Sequence, residues 1–329
     1  MDSACLFPDA LKSVALTLAA AIAVLLVLAS TANPEDSGYP AITGPCRMSF
    51  PADHGPHPDY RTEWWYYTGN LTAGNGAAYG FQLTFFRSRI VPPEAEKSWP
   101  EPHSAWRTAQ LFAAHAALTD ISRTRFHHAE RTGRGAVGIA GAEFKNETAT
   151  VFLRDWSVVI NSSEHTLAAR TDDFALDLRL APAKPPVPHG DGGYSLKGGT
   201  PERASCYYSV TRFETTGSLM VDGKPVPVSG TAWMDHEFSS APLEPGLAGW
   251  DWFSLQLEDR TEFMVYFLRR KDGSFSPASS GTYVDASGRA THLNRGEISM
   301  EVLDWWESPR SKARYPSRWR LRVDSLGLD

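Results

Sequence analysis

Cysteine is scarce in this chain, and its scarcity excludes one class of metal site. Only three cysteines occur among the 329 residues, at positions 5, 46 and 206. A zinc site built from cysteines needs its ligands at short, regular spacings, and these are too far apart. Cys5 lies in a leader-like segment. Cys46 and Cys206 could form one disulfide in an oxidising compartment or remain two buried thiols, and the sequence leaves both alternatives open.

Basic charge and nucleotide-binding motifs are also lacking. The formal net charge is −6 at pH 7 and the isoelectric point is near 5.9. Nucleic-acid binding requires a basic face, so we expect no nucleic-acid partner. The sequence has no phosphate loop, no dinucleotide fingerprint and no Gly-x-Ser-x-Gly elbow. These absences give no support to a nucleotide cofactor or to a serine hydrolase.

Histidines are present, but their spacing does not predict a metal site. Residues 53–59 combine two Asp and two His with Gly and Pro. Gly and Pro make this segment a loop, and no two further ligands follow at a fixed spacing. His115 lies in an apolar run and is typical of a hydrogen-bonded core imidazole. We therefore predict neither a metal nor another cofactor.

One long hydrophobic run lies at the N-terminus. Residues 13–32 carry no charge, and the apolar stretch 14–28 is followed by the small residues Ser30, Thr31 and Ala32. This pattern predicts a signal peptide over residues 1–32 and an exported protein, periplasmic or extracellular. The run is also near the length of a membrane-spanning helix. An uncleaved anchor that tethers the protein to a membrane through residues 13–32 is the alternative.

Beyond the leader, the hydrophobic pattern is that of antiparallel β-strands. Short alternating runs are separated by turn pairs such as Asp222-Gly223 and Asp272-Gly273. The run 263–268 is apolar at every position, so we expect both of its faces to be covered. Residues 181–199 are rich in Pro and Gly and are typical of a linker or a long crossing loop. They divide the chain into two predicted modules, 47–185 and 200–329.

Residues 231–238 (Thr-Ala-Trp-Met-Asp-His-Glu-Phe) form the most informative segment. Strand alternation places Trp233, Asp235 and Glu237 on one face, and His236 on the other with Met234 and Phe238. Desolvation among aromatic rings raises the pKa of a carboxyl group, which can then donate a proton near neutral pH. A structural Asp that bonds a turn or an Arg is the alternative interpretation.

Two further segments combine carboxylates with aromatic side chains. Glu63 precedes Trp64, Trp65, Tyr66 and Tyr67, which indicates either a pocket wall with an embedded acid or core packing with Glu63 paired to Arg61 or Arg87. The second segment contains Trp250, Asp251 and Trp252. Its composition favours a strand that lines the same aromatic cavity as Trp233 and Asp235, although Asp251 could instead bond the backbone.

Several motifs, in order along the chain, carry a resemblance to a known family. The chain resembles the AttH-like secreted proteins and the carotenoid 1,2-hydratases (hydroxyneurosporene synthases), which share a lipocalin-like fold. The resemblance runs from about Phe50 to Trp319 and rests on the blocks 63–69, 80–87, 115–120, 207–209, 232–237, 249–252 and 315–316.

The resemblance implies an all-β protein with two lipocalin-like antiparallel β-barrel modules: an N-terminal AttH domain over 47–185 and a second module over 200–329. AttH-like members continue beyond the Tyr-Pro block with a Tyr-Trp-Glu-Gly segment that this sequence does not contain. The second barrel is therefore expected to be incomplete at its C-terminal end or to close differently.

The resemblance also implies an activity and the residues that perform it. In the hydratases the Asp of the aromatic-x-Asp block is the proton donor, and here that position is Asp235. We expect an acid-catalysed hydratase, a lyase, acting on an isoprenoid or lipid-like substrate. Trp233 and Tyr208 would stabilise the cation that protonation creates. His236 and Glu237 would have secondary roles.

A non-catalytic carrier of a hydrophobic small molecule is the second hypothesis. Its ligand would occupy an aromatic cage formed by Trp64, Trp65, Trp233, Trp250 and Trp252. Glu63, Tyr66 and Asp251 would belong to the same ligand-binding surface, and Asp235 would act only as a polar anchor.

Overall fold

Strands dominate the structure, a computed structural model that describes residues 38–309 and 311–329. The predicted leader over residues 1–32, with its membrane-associating stretch 13–32 and Cys5, lies outside the described residues. Within the described ranges, no helix combines the length and the hydrophobicity that crossing a bilayer requires. In the same ranges, one short helix, α1 (Pro93–Lys97), and three 3-10 turns at Ala52–His54, Arg295–Glu297 and Asp324–Leu326 interrupt the strands.

Thirteen strands of the described chain form one antiparallel sheet. They are β1 (Thr62–Ala73), β2 (Ala78–Arg89), β3 (Gln110–Asp120), β4 (Arg125–Arg134), β5 (Ala140–Lys145), β6 (Thr148–Leu153), β7 (Trp156–Ile160), β8 (His165–Arg170), β9 (Phe174–Pro182), β10 (Val187–Pro188), β11 (Tyr194–Leu196), β12 (Ala204–Val221) and β13 (Lys224–Ser239).

The large sheet curls into a nearly closed barrel. Its strand order is β4-β3-β2-β1-β13-β12-β9-β8-β7-β6-β5, and β10 and β11 pair with β12 beside this path. Contacts of β3 and β4 with β6 bring the two ends of the sheet together. The lumen is filled by alternating apolar side chains such as Trp65, Leu83, Val151 and Leu178. The predicted all-β, lipocalin-like fold is thus confirmed.

The hairpin between β12 and β13 brings the most informative segment into the barrel wall. Val221 pairs with Lys224, so Asp222 and Gly223 form a two-residue turn, and both have positive φ, 50° and 71°. Turns of this kind match the right-handed twist of the flanking strands, which explains the Asp-Gly sequence. The turn, together with a bulge in β12 between Val210 and Phe213, fixes the register in which Ser209 lies opposite Asp235.

A smaller second module packs against the barrel wall. It contains a four-stranded sheet, β14 (Leu247–Gln256), β15 (Glu262–Arg270), β16 (Ser280–Val284) and β17 (Ala290–Asn294), and a two-stranded sheet, β18 (Ser299–Glu307) and β19 (Arg314–Arg322). In the described residues these form open sheets rather than a second closed barrel. Both faces of β15 are covered: Phe263, Val265 and Phe267 join the module's own core, and Met264, Tyr266 and Leu268 pack with Tyr207 and Trp233 of the barrel.

The Pro- and Gly-rich segment does not separate two sheets. Strands β12 and β13, which the sequence analysis assigned to the second module over 200–329, pair with β9 and β1 and complete the barrel. Part of the supposed linker forms β10 and β11 on the edge of β12. Proline is tolerated at such an edge because it lacks only an N–H donor, so composition alone did not reveal the pairing.

Cys46 and Cys206 form a disulfide, with their Cα atoms 5.9 Å apart. It connects the segment before β1 to the start of β12. Ile42, Ala204 and Phe238 are buried around it. The sequence left the pairing open because it depends on the approach of two segments 160 residues apart.

A buried ion cluster joins the second module to the barrel. Glu262 on β15 accepts hydrogen bonds from Lys184 Nζ at 2.6 Å and from Arg212 Nε at 2.5 Å. Arg212 lies at a bulge of β12, where the pairing with β13 shifts between Val210 and Phe213. Bulges redirect side chains out of the regular alternation, and this one allows both Thr211 and Arg212 to reach Glu262.

Candidate functional site

Asp235 lies where the barrel wall meets the second module, and it is only 5% exposed. Its Oδ1 accepts a hydrogen bond from Trp233 Nε1 at 2.8 Å and another from the Ser209 hydroxyl. The Tyr207 hydroxyl lies close enough to the carboxyl group to lower its pKa, and it accepts a hydrogen bond from Trp252 Nε1 at 3.1 Å. We call Tyr207, Ser209, Trp233 and Asp235 the interface site. Among the described residues, no Lys or Arg forms an ion pair with Asp235.

Burial decides the protonation of Asp235. Desolvation raises the pKa of this carboxyl group to about 7, with a further increase from Glu237, and the three donors Ser209, Trp233 and Tyr207 oppose the rise. The group is therefore protonated to a substantial extent near neutral pH. Once it has lost its proton, the same three donors stabilise the carboxylate. A carboxyl group that is protonated near neutral pH, and whose carboxylate form is stabilised by hydrogen bonds, is suited to general acid catalysis.

A chain of hydrogen bonds continues behind Ser209. His189 Nε2 lies 2.6 Å from Ser209 Oγ, and His189 Nδ1 lies 2.8 Å from Thr282 Oγ1. Burial lowers the pKa of His189 well below its usual value, and Lys197 adds to the effect. Because Ser209 donates to Asp235, the neutral imidazole donates Nε2–H to Ser209 and accepts from Thr282. This chain holds the Ser209 hydroxyl in its donating orientation.

Aromatic rings from both modules border the interface site. Trp252 on β14 meets Trp233 edge-to-face at 6.3 Å and Tyr66 on β1 at 5.5 Å. Trp250 packs on the same cluster, and Tyr66 lies directly opposite Asp235 in the pairing of β1 and β13. Trp64, two residues earlier on β1, shares that face by alternation. Rings in this arrangement can stabilise a cation through their π faces.

Lys197 and Glu237 form a charged pair beside the interface site. Lys197 Nζ lies 3.2 Å from Glu237 Oε1 and 4.1 Å from the centre of the Tyr266 ring. Burial alone would lower the pKa of Lys197, but Glu237 and Tyr266 hold it above its usual value. Glu237 also accepts a hydrogen bond from Ser205. The pair is thus fully partnered and leaves Asp235 as the acid of this surface.

His236 and Glu63 lie on the opposite face of the wall, inside the barrel. Glu63 Oε1 accepts from His236 Nε2 at 2.9 Å and from His57 Nδ1 at 2.8 Å, and Glu63 Oε2 accepts from Arg87 Nε at 2.8 Å. Burial would raise the pKa of Glu63, but His236, His57 and Arg87 together hold it well below its usual value. Of the two arginines that the sequence suggested as its partner, Arg87 forms the ion pair.

Three residues of this cluster could together bind a metal ion. Donor atoms of His57, Glu63 and His236 lie within 4.8 Å of one another, close enough to share one ion. Burial opposes a charged imidazole, but hydrogen bonds with Asp53 and Glu63 raise the pKa of His57 to about 8. Both nitrogens of protonated His57 therefore donate, and Arg87 balances the charge of Glu63. Protons alone satisfy the hydrogen bonds between His57, Glu63 and His236, so the geometry of this cluster does not require a metal ion.

The structure separates Tyr208 from Asp235. Tyr208 points into the barrel lumen, where its hydroxyl lies 3.0 Å from His236 Nδ1 and 2.8 Å from His54 Nδ1. Neighbouring residues on a strand face opposite ways, so Tyr207 and Ser209, not Tyr208, lie beside Asp235. Trp65 also faces the lumen, where it stacks on His236 at 4.7 Å.

Asp251 likewise lies away from the interface site. Trp250 and Trp252 pair with Leu268 and Tyr266, whereas Asp251 pairs with Phe267 on the other face of β15. Arg269 Nε lies 3.1 Å from Asp251 Oδ2. The two tryptophans therefore line the interface, and the acid between them forms a peripheral ion pair.

Sequence reasoning missed four residues around Asp235. The sequence does contain a signal for Tyr207 and Ser209, because alternation on β12 places both of them on one face. It contains no such signal for His189 and Lys197, because both lie in the segment interpreted as a linker. Their positions follow from the pairing of β10 and β11 with β12.

Comparisons with known proteins agree with this fold. The family model described as AttH-like matches residues 41–329. A crystal structure assigned as an AttH from Nitrosomonas europaea is 34% identical, with a TM-score of 0.75, and the match covers 86% of this chain and 84% of that one. Kievitone hydratase from Nectria haematococca superposes with a TM-score of 0.59 at 13% identity, covering 87% of this chain and 79% of that chain. At that identity the likeness concerns the fold alone.

Among curated proteins, none matches this chain by sequence. The family model nevertheless spans most of the chain, and the Nitrosomonas europaea protein shares a third of its residues over most of both lengths. The protein belongs to the AttH-like family.

Proposed function

We propose that this protein is a hydratase-type lyase that adds water to a carbon–carbon double bond of an apolar, isoprenoid-like substrate. One observation carries the proposal: a carboxyl group with a pKa of about 7 is buried among aromatic rings and three hydrogen-bond donors at the junction of the two modules. An isolated alkene offers no polar handle. Its hydration therefore needs a donor that still carries its proton at neutral pH and a site that tolerates a cation.

The reaction follows from this arrangement. Asp235 transfers its proton to the less substituted alkene carbon, and the π electrons of the double bond form the new C–H bond. The tertiary cation that results faces the rings of Trp233 and Trp252. A water oxygen bonds to the cationic carbon, and the proton that this water loses returns to the carboxylate. The net change is the addition of one water molecule, and Asp235 is restored as the acid.

Product analysis in isotopic water tests the proposal. Incubation of the protein with geranylgeraniol in H₂¹⁸O is expected to give a tertiary alcohol that carries ¹⁸O, identified by mass spectrometry. Turnover should be greatest below about pH 7 and fall about tenfold per pH unit above it, because only protonated Asp235 donates. A rate that is constant from about pH 5 to about pH 9 would exclude Asp235 as the donor. Saturable tryptophan quenching by isoprenoids without any product would favour a carrier instead.

We also propose that the protein is exported. The Cys46–Cys206 disulfide supports this location, because such bonds persist in oxidising compartments and are rare in the cytosol. Fractionation of cells that express the full chain should recover it outside the cytoplasm or in the membrane fraction, with the disulfide formed. Recovery of the reduced protein from the cytoplasm would contradict the proposal.

A further inference from the structure

A cavity of about 320 Å³ opens at the end of the barrel where β8 begins and β9 ends, on the side of the wall opposite Asp235. Its lining includes His54, Ser162, His165, Val210 and the segment 182–186. Val210 belongs to the barrel core, and His165 is 0% exposed. The volume is at the lower end of the range found for small-molecule sites.

His165 presents an unused donor at this cavity. The Tyr67 hydroxyl lies 2.9 Å from His165 Nδ1, while Nε2 has no hydrogen-bond partner among the described residues. Burial keeps the Tyr67 phenol protonated and the imidazole neutral, because it raises the pKa of Tyr67 and lowers that of His165. Among the described residues, Nδ1 is the only acceptor within reach of the buried Tyr67 hydroxyl, so Tyr67 donates to it and the ring proton of His165 is on Nε2. A buried N–H without an acceptor is costly and rare in native proteins.

His54 presents an acceptor beside that donor. The Glu63 carboxylate can only accept, so His236 donates through Nε2 and leaves its Nδ1 to accept from the Tyr208 hydroxyl. The Tyr208 oxygen then accepts from His54 Nδ1–H at 2.8 Å. Burial, together with His236, lowers the pKa of His54 to about 4, so this ring is neutral and its Nε2 carries a free lone pair. Among residues 38–309 and 311–329, His54 Nε2 has no hydrogen-bond partner.

The two imidazoles form a matched pair. Their ring centres are 5.3 Å apart, and the rings meet edge-to-face at 77°. One ring offers an N–H, the other a lone pair, and both belong to the lining of the same cavity. A hydroxyl group is the simplest ligand group that accepts one hydrogen bond and donates another.

We propose that the open end of the barrel holds a second binding site, separate from the interface site, which takes a small, partly apolar molecule bearing one hydroxyl group. The ligand oxygen accepts from His165 Nε2–H, and its hydroxyl proton is donated to His54 Nε2. Val210 and the prolines of segment 182–186 contact its apolar body. Binding supplies the acceptor that His165 lacks.

Three nearly isosteric probes test this assignment: 2-indanol, 2-indanone and indane. The ketone can only accept, and the hydrocarbon can do neither. Each hydrogen bond is expected to improve the dissociation constant about fivefold to tenfold, so the order of affinity should be alcohol, ketone, hydrocarbon. Isothermal titration calorimetry measures the three constants. Equal affinity for the three probes, or no saturable binding of 2-indanol, would overturn the proposal.

Two asparagine variants assign the donor and the acceptor. In His165→Asn the amide oxygen replaces Nδ1 as the acceptor for Tyr67, and the Nε2–H is lost. This variant should bind 2-indanol and 2-indanone more weakly. In His54→Asn the amide N–H replaces Nδ1–H toward Tyr208, and the Nε2 lone pair is lost. This second variant should bind only 2-indanol more weakly, while an unchanged 2-indanol affinity in both folded variants contradicts the assignment.

Nitrogen NMR of the unaltered protein provides a readout that does not depend on how the variants fold. The ¹⁵N signals of His165 Nε2 and His54 Nε2 should shift as 2-indanol saturates the protein. If the probe instead quenches tryptophan fluorescence and leaves both signals unchanged, it occupies the interface between the modules and the second site is wrong. Because the readout is binding at the second site, its failure leaves the proposed hydratase activity at Asp235 unaffected.

Discussion

The variant Asp235→Asn is expected to lose turnover and to become more stable than the unaltered protein at alkaline pH. The amide has no acidic proton to give, so the rate of hydration should fall by at least about 10²–10⁴-fold, the usual contribution of a general acid. The amide has the same shape as the carboxyl group, and its oxygen can still accept hydrogen bonds from Ser209 and Trp233. The substitution therefore removes the acid while it preserves the surrounding hydrogen bonds.

The sign of the stability change follows from the pKa of Asp235. Burial raises that pKa from 3.8 to about 7 in the folded state. The stability that comes from keeping the group protonated is complete below about pH 4 and is lost as the pH rises to about 7. Above that pH the unaltered protein must bury a carboxylate, and the asparagine variant does not. From the size of the shift, the variant should be more stable by about 2–4 kcal/mol at pH 8 and nearly equal at pH 4.

Urea unfolding at these two pH values measures the difference. Asp177→Asn on the exposed face of β9 is a matched control, and its effect should stay within about 0.5 kcal/mol at both pH values. Lower stability of Asp235→Asn across the whole pH range would indicate a structural aspartate. Retained turnover by the folded variant would remove Asp235 from the mechanism.

The variant Glu262→Gln is expected to weaken the attachment of the second module to the barrel. Glu262 is fully buried, and the side chains of Lys184 and Arg212 are only 3% and 11% exposed. Without the carboxylate, two neighbouring cations remain in a desolvated site, although Lys184 keeps its hydrogen bonds to the carbonyl oxygens of Arg260 and Asp285. Removal of one partner from a buried ion cluster typically costs about 3–5 kcal/mol.

Glu301→Gln is the matched control for this change. Glu301 is 64% exposed and lies 3.7 Å from Arg320, and exposed pairs of this kind contribute about 0–1 kcal/mol. Thermal unfolding followed by tryptophan fluorescence should therefore separate the two variants clearly. Because the interface site needs both modules, Glu262→Gln should also lower any turnover. Equal unfolding temperatures for the two variants would show that this cluster does not attach the module.

Alternation along strands predicts much of the fold from the sequence. It placed Trp233 and Asp235 on one face and His236 on the other, and the structure gives them the same separation. The uniformly apolar run 263–268 indicated a strand covered on both sides, and β15 has a core on each face. These inferences hold because the direction of a side chain in a strand is a local property with a period of two.

One residue predicted at the site points the other way. The sequence analysis predicts Tyr208 in the wall around Asp235, but its neighbours Tyr207 and Ser209 occupy that face. The direction in which a single residue of β12 points depends on its register against β13. That register is set by the turn at Asp222 and Gly223, 13 residues after Ser209 along the chain, together with the bulge between Val210 and Phe213.

The sequence by itself determined the strands, the turn of the β12–β13 hairpin, the family and the presence of an acid among aromatic rings. Tertiary structure alone decided which distant residues meet: Cys46 with Cys206, Glu63 with Arg87, and His189 with Ser209. It also decided that β12 and β13 complete the first barrel. Alternation and turn geometry act over a few residues, whereas these contacts depend on strand order and on how two sheets pack, which no short segment encodes.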